Sequence, residues 1–164
     1  MKVAAAVLLA ASAALGPGLA EKSVEARRAA QRFAPKAVLI ELHAVEEAGP
    51  AELVWTFFDG DSDPTKDFFV DVIVRGDPPT VRLLREPKRE LRPTLLDLSR
   101  AEVSWTGLKL AEGEVVSKWE GFRLRPRRDG VPCWRARLKE GGPVYFDART
   151  GEKAAACSEP WKGK

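Results

Sequence analysis

Trp134-Arg135-Ala136-Arg137-Leu138-Lys139-Glu140-Gly141-Gly142-Pro143-Val144-Tyr145-Phe146-Asp147-Ala148-Arg149-Thr150-Gly151-Glu152 reads as two strands and two turns. Apolar and basic residues alternate from Trp134 to Lys139, the period of a chain with one face buried and one wet. Gly141-Gly142-Pro143 breaks the run and turns it. Val144 to Ala148 returns as a second strand. Asp147 is placed to accept backbone N–H groups of the turn that follows, and Thr150-Gly151 supplies that turn.

Upstream, Phe122-Arg123-Leu124-Arg125 repeats the same alternation, and Pro126-Arg127-Arg128-Asp129-Gly130 is a loop between the two runs. If the runs pair through that loop, Arg123, Arg125, Arg135 and Arg137 share one face, with Phe122, Leu124, Trp134 and Ala136 on the other. The result is a basic ladder with Arg127 and Arg128 at its tip. Most such ladders are solvated outer faces. As a functional feature it is a surface for an acidic protein, a lipid headgroup or a glycan. Val115 to Trp119 is expected to add a further strand. Before it, Ser99-Arg100-Ala101-Glu102 has the form of a capping box, predicting a helix from Ser99 to about Ala111.

The first half has a comparable order. Ser23 to Phe33 is expected to be a helix capped by Ser23, with Ala26, Ala29, Ala30 and Phe33 in one apolar stripe. Strand-like runs follow at Ala37–Val45, Leu53–Phe58, Phe68–Val74 and Thr80–Leu84, joined by turn signals. Phe69 to Pro78 can be laid on Trp134 to Pro143 without gaps, which suggests an internal repeat. Glu86 to Pro93 is charged, bounded by proline and without apolar pattern.

The stretch Val144 to Glu152, with the glycine turn, the strand at Trp134 and the capped helix at Ser99 before it, resembles the end of a PepSY domain. In that family a helix is followed by an antiparallel strand pair whose last strand runs into an Asp-x-x-Thr-Gly-Glu/Lys turn. Here Asp147, Thr150 and Gly151 match that turn. The resemblance covers roughly residues 95–155, with a fainter echo over 22–84, where Thr80-Val81-Arg82-Leu83 stands in place of the motif. It implies an α+β fold of two tandem units, each one helix packed on an antiparallel sheet. It also implies binding more than catalysis: family members are mostly exported, and some are thought to restrain secreted peptidases.

The chain has 164 residues, 45% hydrophobic and 31% charged, ordinary for a folded domain. Lys2, the apolar run Val3 to Leu15 and the small residues Gly18-Leu19-Ala20 have the order of a secretory signal. The expected division is a signal peptide over 1–20, a first unit over 21–86, a linker over 87–93, a second unit over 94–157 and a tail over 158–164. No transmembrane segment is expected after cleavage, and the location is secreted or periplasmic. Removal of the signal takes away one lysine and no acid, so the net charge of +3 becomes +2. That balance does not point to nucleic acid.

In an oxidising compartment the two cysteines, Cys133 and Cys157, are more often bridged than free. Geometry pulls the other way: if Cys157 ends a third strand of the same meander, the two lie at opposite ends. A bridge therefore requires the chain after Glu152 to bend back, and Ala154-Ala155-Ala156 is small enough to allow it. We expect the bridge.

Candidate chemistry is sparse. His43 is the single histidine, with no nucleophile motif beside it. Asp59-x-Asp61-x-Asp63 has the spacing of a calcium loop, but Pro64 and Val70 stand where an EF-hand needs glycine and a bidentate acid. Two cysteines and one histidine fall short of a usual zinc site. We therefore expect no metal, no cofactor and no catalytic residues. Trp55, Trp105, Trp119 and Trp134 are core candidates. Trp161, in the polar tail, either covers the sheet or is exposed for contact. The function expected is an exported, non-enzymatic binding module restraining a peptidase. The alternative is an envelope structural or assembly protein that binds an anionic lipid or glycan. The binding residues expected are Arg123, Arg125, Arg135, Arg137 and Trp161.

Overall fold

The computed structural model describes residues 17–45, 51–59, 68–76, 78–87, 94–127 and 131–157. Most of the expected signal segment, Asp61 and Asp63 of the acidic loop, most of the expected linker, Arg128, and the expected tail with Trp161 lie outside the described residues.

Among the described residues one helix is followed by eight strands in a single antiparallel sheet: α1 Pro17–Gln31, β1 Val38–Val45, β2 Glu52–Asp59, β3 Phe68–Arg75, β4 Thr80–Pro87, β5 Phe122–Pro126, β6 Pro132–Arg137, β7 Pro143–Asp147 and the short β8 Lys153–Ala154. The spatial order is β4-β3-β2-β1-β5-β6-β7-β8. Each half of the chain is a meander. The two meanders join where their first strands pair, Leu42 opposite Leu124 and Ala44 opposite Phe122.

Side-chain alternation drives this arrangement. Val74, Trp55, Leu42, Leu124, Trp134 and Phe146 stand opposite one another in turn across six strands. All six are buried, so one continuous apolar row crosses both halves of the sheet. In β1 the register slips between Leu39 and Glu41. That bulge lets Leu39 and Leu42, an odd number of residues apart, share the core face. It leaves Glu41 and His43 on the other face.

The core face is covered by two different layers. Over β2 and β3 lies α1, which buries Leu19, Ala26, Ala29 and Ala30. The alanine stripe is as expected, but Phe33, just past the helix, is 58% exposed. Ser23 is not a cap, because the helix starts six residues earlier at Pro17, and proline is well suited to a first helical position. The helix thus runs through the expected cleavage site after Ala20.

Over the second half there is no α-helix among the described residues, and the expectation of two tandem helix-on-sheet units is corrected accordingly. Residues 94–121 form an irregular strap with two short 3₁₀ turns, Leu98–Arg100 and Trp105–Gly107. The cap is Asp97, whose carboxylate accepts from the Ser99 N–H at 3.0 Å. Ala101 then leaves helical geometry at φ −99°, ψ 115°, so the box at Ser99 and Glu102 does not close. The strap is held instead by the sheet. Leu96 N–H donates to the Leu39 carbonyl, and Glu102 and Val103 N–H both donate to the Ala148 carbonyl, each at 2.8 Å. Trp134 donates its indole N–H to the Val103 carbonyl at 2.8 Å, and Trp105 meets its ring edge-on at 6.1 Å.

The turn at Asp147 forms as read. Its carboxylate accepts from the Arg149 N–H at 2.8 Å, and its carbonyl from Gly151 N–H at 2.8 Å. Gly151 has φ +71°, and a Cβ there would lie 2.8 Å from the Gly107 carbonyl oxygen. Glycine is therefore required both by the turn and by the strap packed on it.

Two further expectations change. Val115 to Trp119 is not a strand; a single bridge links Val116 to Leu138, and Trp119 is 77% exposed rather than in the core. The proposed repeat also fails on parity: laying Phe69 on Trp134 sets core-facing Val72 against Arg137, which faces out.

Candidate functional site

The face of the sheet turned away from α1 and the strap is polar and rich in arginine. Along one row, Arg75, Val54, His43, Arg123, Arg135 and Tyr145 stand opposite one another in sequence. Arg123 thus faces Arg135 directly across the β5–β6 pair, as the two-residue alternation implies. Like charges in opposite register repel, so the arrangement needs compensation.

Glu41 supplies part of it. Its side chain is only 15% exposed, and its two oxygens take Arg125 Nε and, at 3.4 Å, Arg123 Nη1. Arg137 pairs with Glu120 at 3.3 Å. Four arginines on this patch therefore meet two carboxylates. Arg135 has no ion pair among the described residues, and its Nε is buried without a hydrogen-bond partner.

Glu120, Gly121, Arg123, Arg135 and Arg137 line a hollow of about 100 Å³. Gly121 closes its floor at φ +48°, so near β1 that a Cβ would sit 2.1 Å from the Ala44 carbonyl oxygen. His43 lies on the neighbouring strand and donates Nε2–H to the Glu120 carbonyl at 2.6 Å. Burial holds the His43 pKa below its ordinary value, and Arg123 and Arg125 push the same way against Glu41 and the Glu120 carbonyl. The imidazole at neutral pH is thus an uncharged tether for the Glu120 loop.

Further along, Asp147 takes Arg149 at 3.2 Å and Arg127 at 4.0 Å, and the hydrogen bond from Arg149 holds its carboxyl below the usual range. Cys133, on the same face as Arg135 and Arg137, is bridged to Cys157 with Cα atoms 5.8 Å apart. The chain after β8 does bend back, and neither cysteine is a free thiol.

Sequence reading found the arginines and their face. It missed Glu41 and Glu120, which set how much of that charge is uncommitted, and the tether from His43. Glu41 is the one acid inside the β1 strand run, a signal that was available. Trp119 between Lys118 and Glu120 carried a similar signal of exposure.

A second hollow, about 310 Å³, lies between α1 and the ends of β2 and β3, with Trp55, Leu53 and Val74 among its lining and Lys22, Glu25 and Glu52 as its charged groups. Glu52 is already forked to Arg75, both contacts at 2.6 Å, so few polar groups converge there. Among the described residues no group of three His, Cys, Asp or Glu side chains could hold a metal ion, and no helix is long and apolar enough to cross a membrane.

No family model, no curated protein and no solved structure matches this chain.

Proposed function

We propose that this chain is an exported, non-enzymatic binding module that engages an anionic partner through the outer face of β1, β5, β6 and β7. The observation that carries the reading is the direct opposition of Arg123 and Arg135 on a face where Arg125 and Arg137 also stand and where, among the described residues, Glu41 and Glu120 alone answer them. Such excess of one charge on a rigid sheet raises the local concentration of anionic partners. The disulfide supports an oxidising compartment, and the secretory pattern of residues 1–20 supports export. In the PepSY-like reading the partner is the acidic surface of an exported peptidase. The exposed Trp119, two residues from the floor of the hollow, favours a second reading, an anionic glycan or lipid of the envelope, because a wet indole supplies an apolar stacking surface beside the charges.

The test is retention of the mature chain on immobilised heparin, with salt elution, for wild type and for the Arg135→Gln/Arg137→Gln pair. Neutralisation is preferable to reversal: a glutamate at Arg123 or Arg125 would face the mostly buried Glu41, and a fold defect would mimic lost binding. The reading requires wild type to be retained and to elute with rising salt, and the pair to elute markedly earlier. Equal elution of the two rejects it.

A further inference from the structure

Resting on that reading of the arginine face, we propose that the hollow between Arg123, Arg135, Arg137 and the Glu120–Gly121 loop is a subsite for a single dianionic phosphate monoester group. Three observations converge on it. Arg135 lines the hollow with its Nε–H buried and without a hydrogen-bond partner among the described residues, a costly state for a charged donor, which a turn of the guanidinium toward an acceptor oxygen in the hollow would relieve. Arg123 and Arg135 repel across the strand pair, and an anion between them turns that repulsion into attraction for both. The volume, about 100 Å³, admits one compact oxyanion and not a ring.

Charge selects the class. Arg123, Arg125, Arg135 and Arg137 against Glu41 and Glu120 leave two positive charges uncommitted on the patch. A phosphate monoester carries about −1.5 to −2 at neutral pH and offers three acceptor oxygens. A carboxylate or sulfate ester brings a single charge and leaves one arginine uncompensated. The guanidinium forks match such oxygens two at a time, which lysine cannot do. Glu120 acts as an internal competitor, since it holds Arg137 at 3.3 Å until the ligand arrives.

Methyl phosphate and methyl sulfate, alike in shape and different in charge, are the probes. Binding is read from the arginine Nε–H resonances in ¹⁵N–¹H spectra of the full mature protein at pH 7.5. We expect saturable one-to-one binding of methyl phosphate that moves the Arg135 Nε–H signal most, with methyl sulfate weaker by roughly tenfold. Arg135→Lys should weaken methyl phosphate by roughly tenfold. Glu120→Gln, which frees Arg137 and keeps the carbonyl that His43 uses, should tighten it severalfold; a gain of affinity cannot come from misfolding. A hexose 6-phosphate and vesicles of phosphatidic acid in phosphatidylcholine then distinguish a sugar from a lipid as the carrier, and binding of either supports the subsite. Absent or non-saturable binding, equal affinity for the two probes, or unchanged affinity in Glu120→Gln overturns it. Should heparin retention persist in that event, the subsite falls and the broader reading of the face stands.

Discussion

Cys133 and Cys157 are bridged although Cys133 stands opposite Asp147, at the start of β6, and Cys157 lies three residues beyond the end of β8. The bridge is possible because β8 is only two residues long, after which the chain turns back until Cys157 Sγ is 3.9 Å from the Trp134 carbonyl. The 24-residue separation closes a loop worth about 3 kcal/mol in the chain-entropy model. The Cys133→Ser/Cys157→Ser pair should lose stability of that order in urea unfolding, with the slope little changed. A midpoint equal to wild type would show that the bridge constrains nothing the sheet does not already fix.

Trp134 is the largest fully buried side chain among the described residues. It sits between Leu124 and Phe146 and bonds the Val103 carbonyl of the strap. Trp134→Ala should cost about 3–5 kcal/mol. Trp134→Phe keeps much of the volume but leaves that carbonyl unpaired, and should cost about 1–3 kcal/mol. Hydrogen exchange at the Glu102 and Val103 amides should rise in the Phe variant before global stability is lost; unchanged protection would show that the strap does not depend on the indole.

Glu41→Gln removes the shared carboxylate from Arg123 and Arg125. Loss of charge-assisted bonds at a mostly buried acceptor should cost about 2 kcal/mol. The same variant should bind heparin more tightly, because two guanidinium groups are released. Thermal melting and heparin elution would therefore move in opposite directions. Movement of both in the same direction would mean that Glu41 is not the brake on this face.

Stability should respond to acid in two separate windows. Burial lowers the His43 pKa from 6.5, so the unfolded chain takes up that proton first. Stability falls as pH drops below about 6.5. Asp147, held low by Arg149, contributes stability above the ordinary carboxylate range and loses it as pH falls further, through its folded value. Around His43 the charged groups are Glu41, Arg123 and Arg125. His43→Asn should flatten the upper window and leave the lower one, as read by urea midpoints across pH.

How much of this was legible in the sequence depends on which force decides each element. Strands β1 to β7 were visible because alternation and β-branched runs report directly on a two-faced sheet, and the Asp147 turn because its chemistry is local. The helix at Ser99 was misread because a local capping pattern was outweighed by bonds to Ala148 and by Trp105 and Trp134, contacts no short window contains. Helical spacing places Phe33 in the apolar stripe and bulk alone places Trp119 in the core, but Phe33 lies past the end of the helix and Trp119 stands between Lys118 and Glu120, and both are exposed. For the arginine face, alternation disclosed which side chains share it. Which of them remain uncommitted depends on Glu41 and Glu120, brought there from 82 residues upstream of Arg123 and from the adjoining loop.

Whether the outer arginine face is where this protein meets its partner is tested most directly by titrating the ¹⁵N-labelled protein with a heparin oligosaccharide, following every arginine Nε–H resonance. Saturable shifts concentrated on Arg123, Arg135 and Arg137 are expected, fading as salt is raised, while Arg75, forked to Glu52, stays still. Shifts confined to arginines away from β5 and β6, or spread evenly over all of them, would contradict that role for the face.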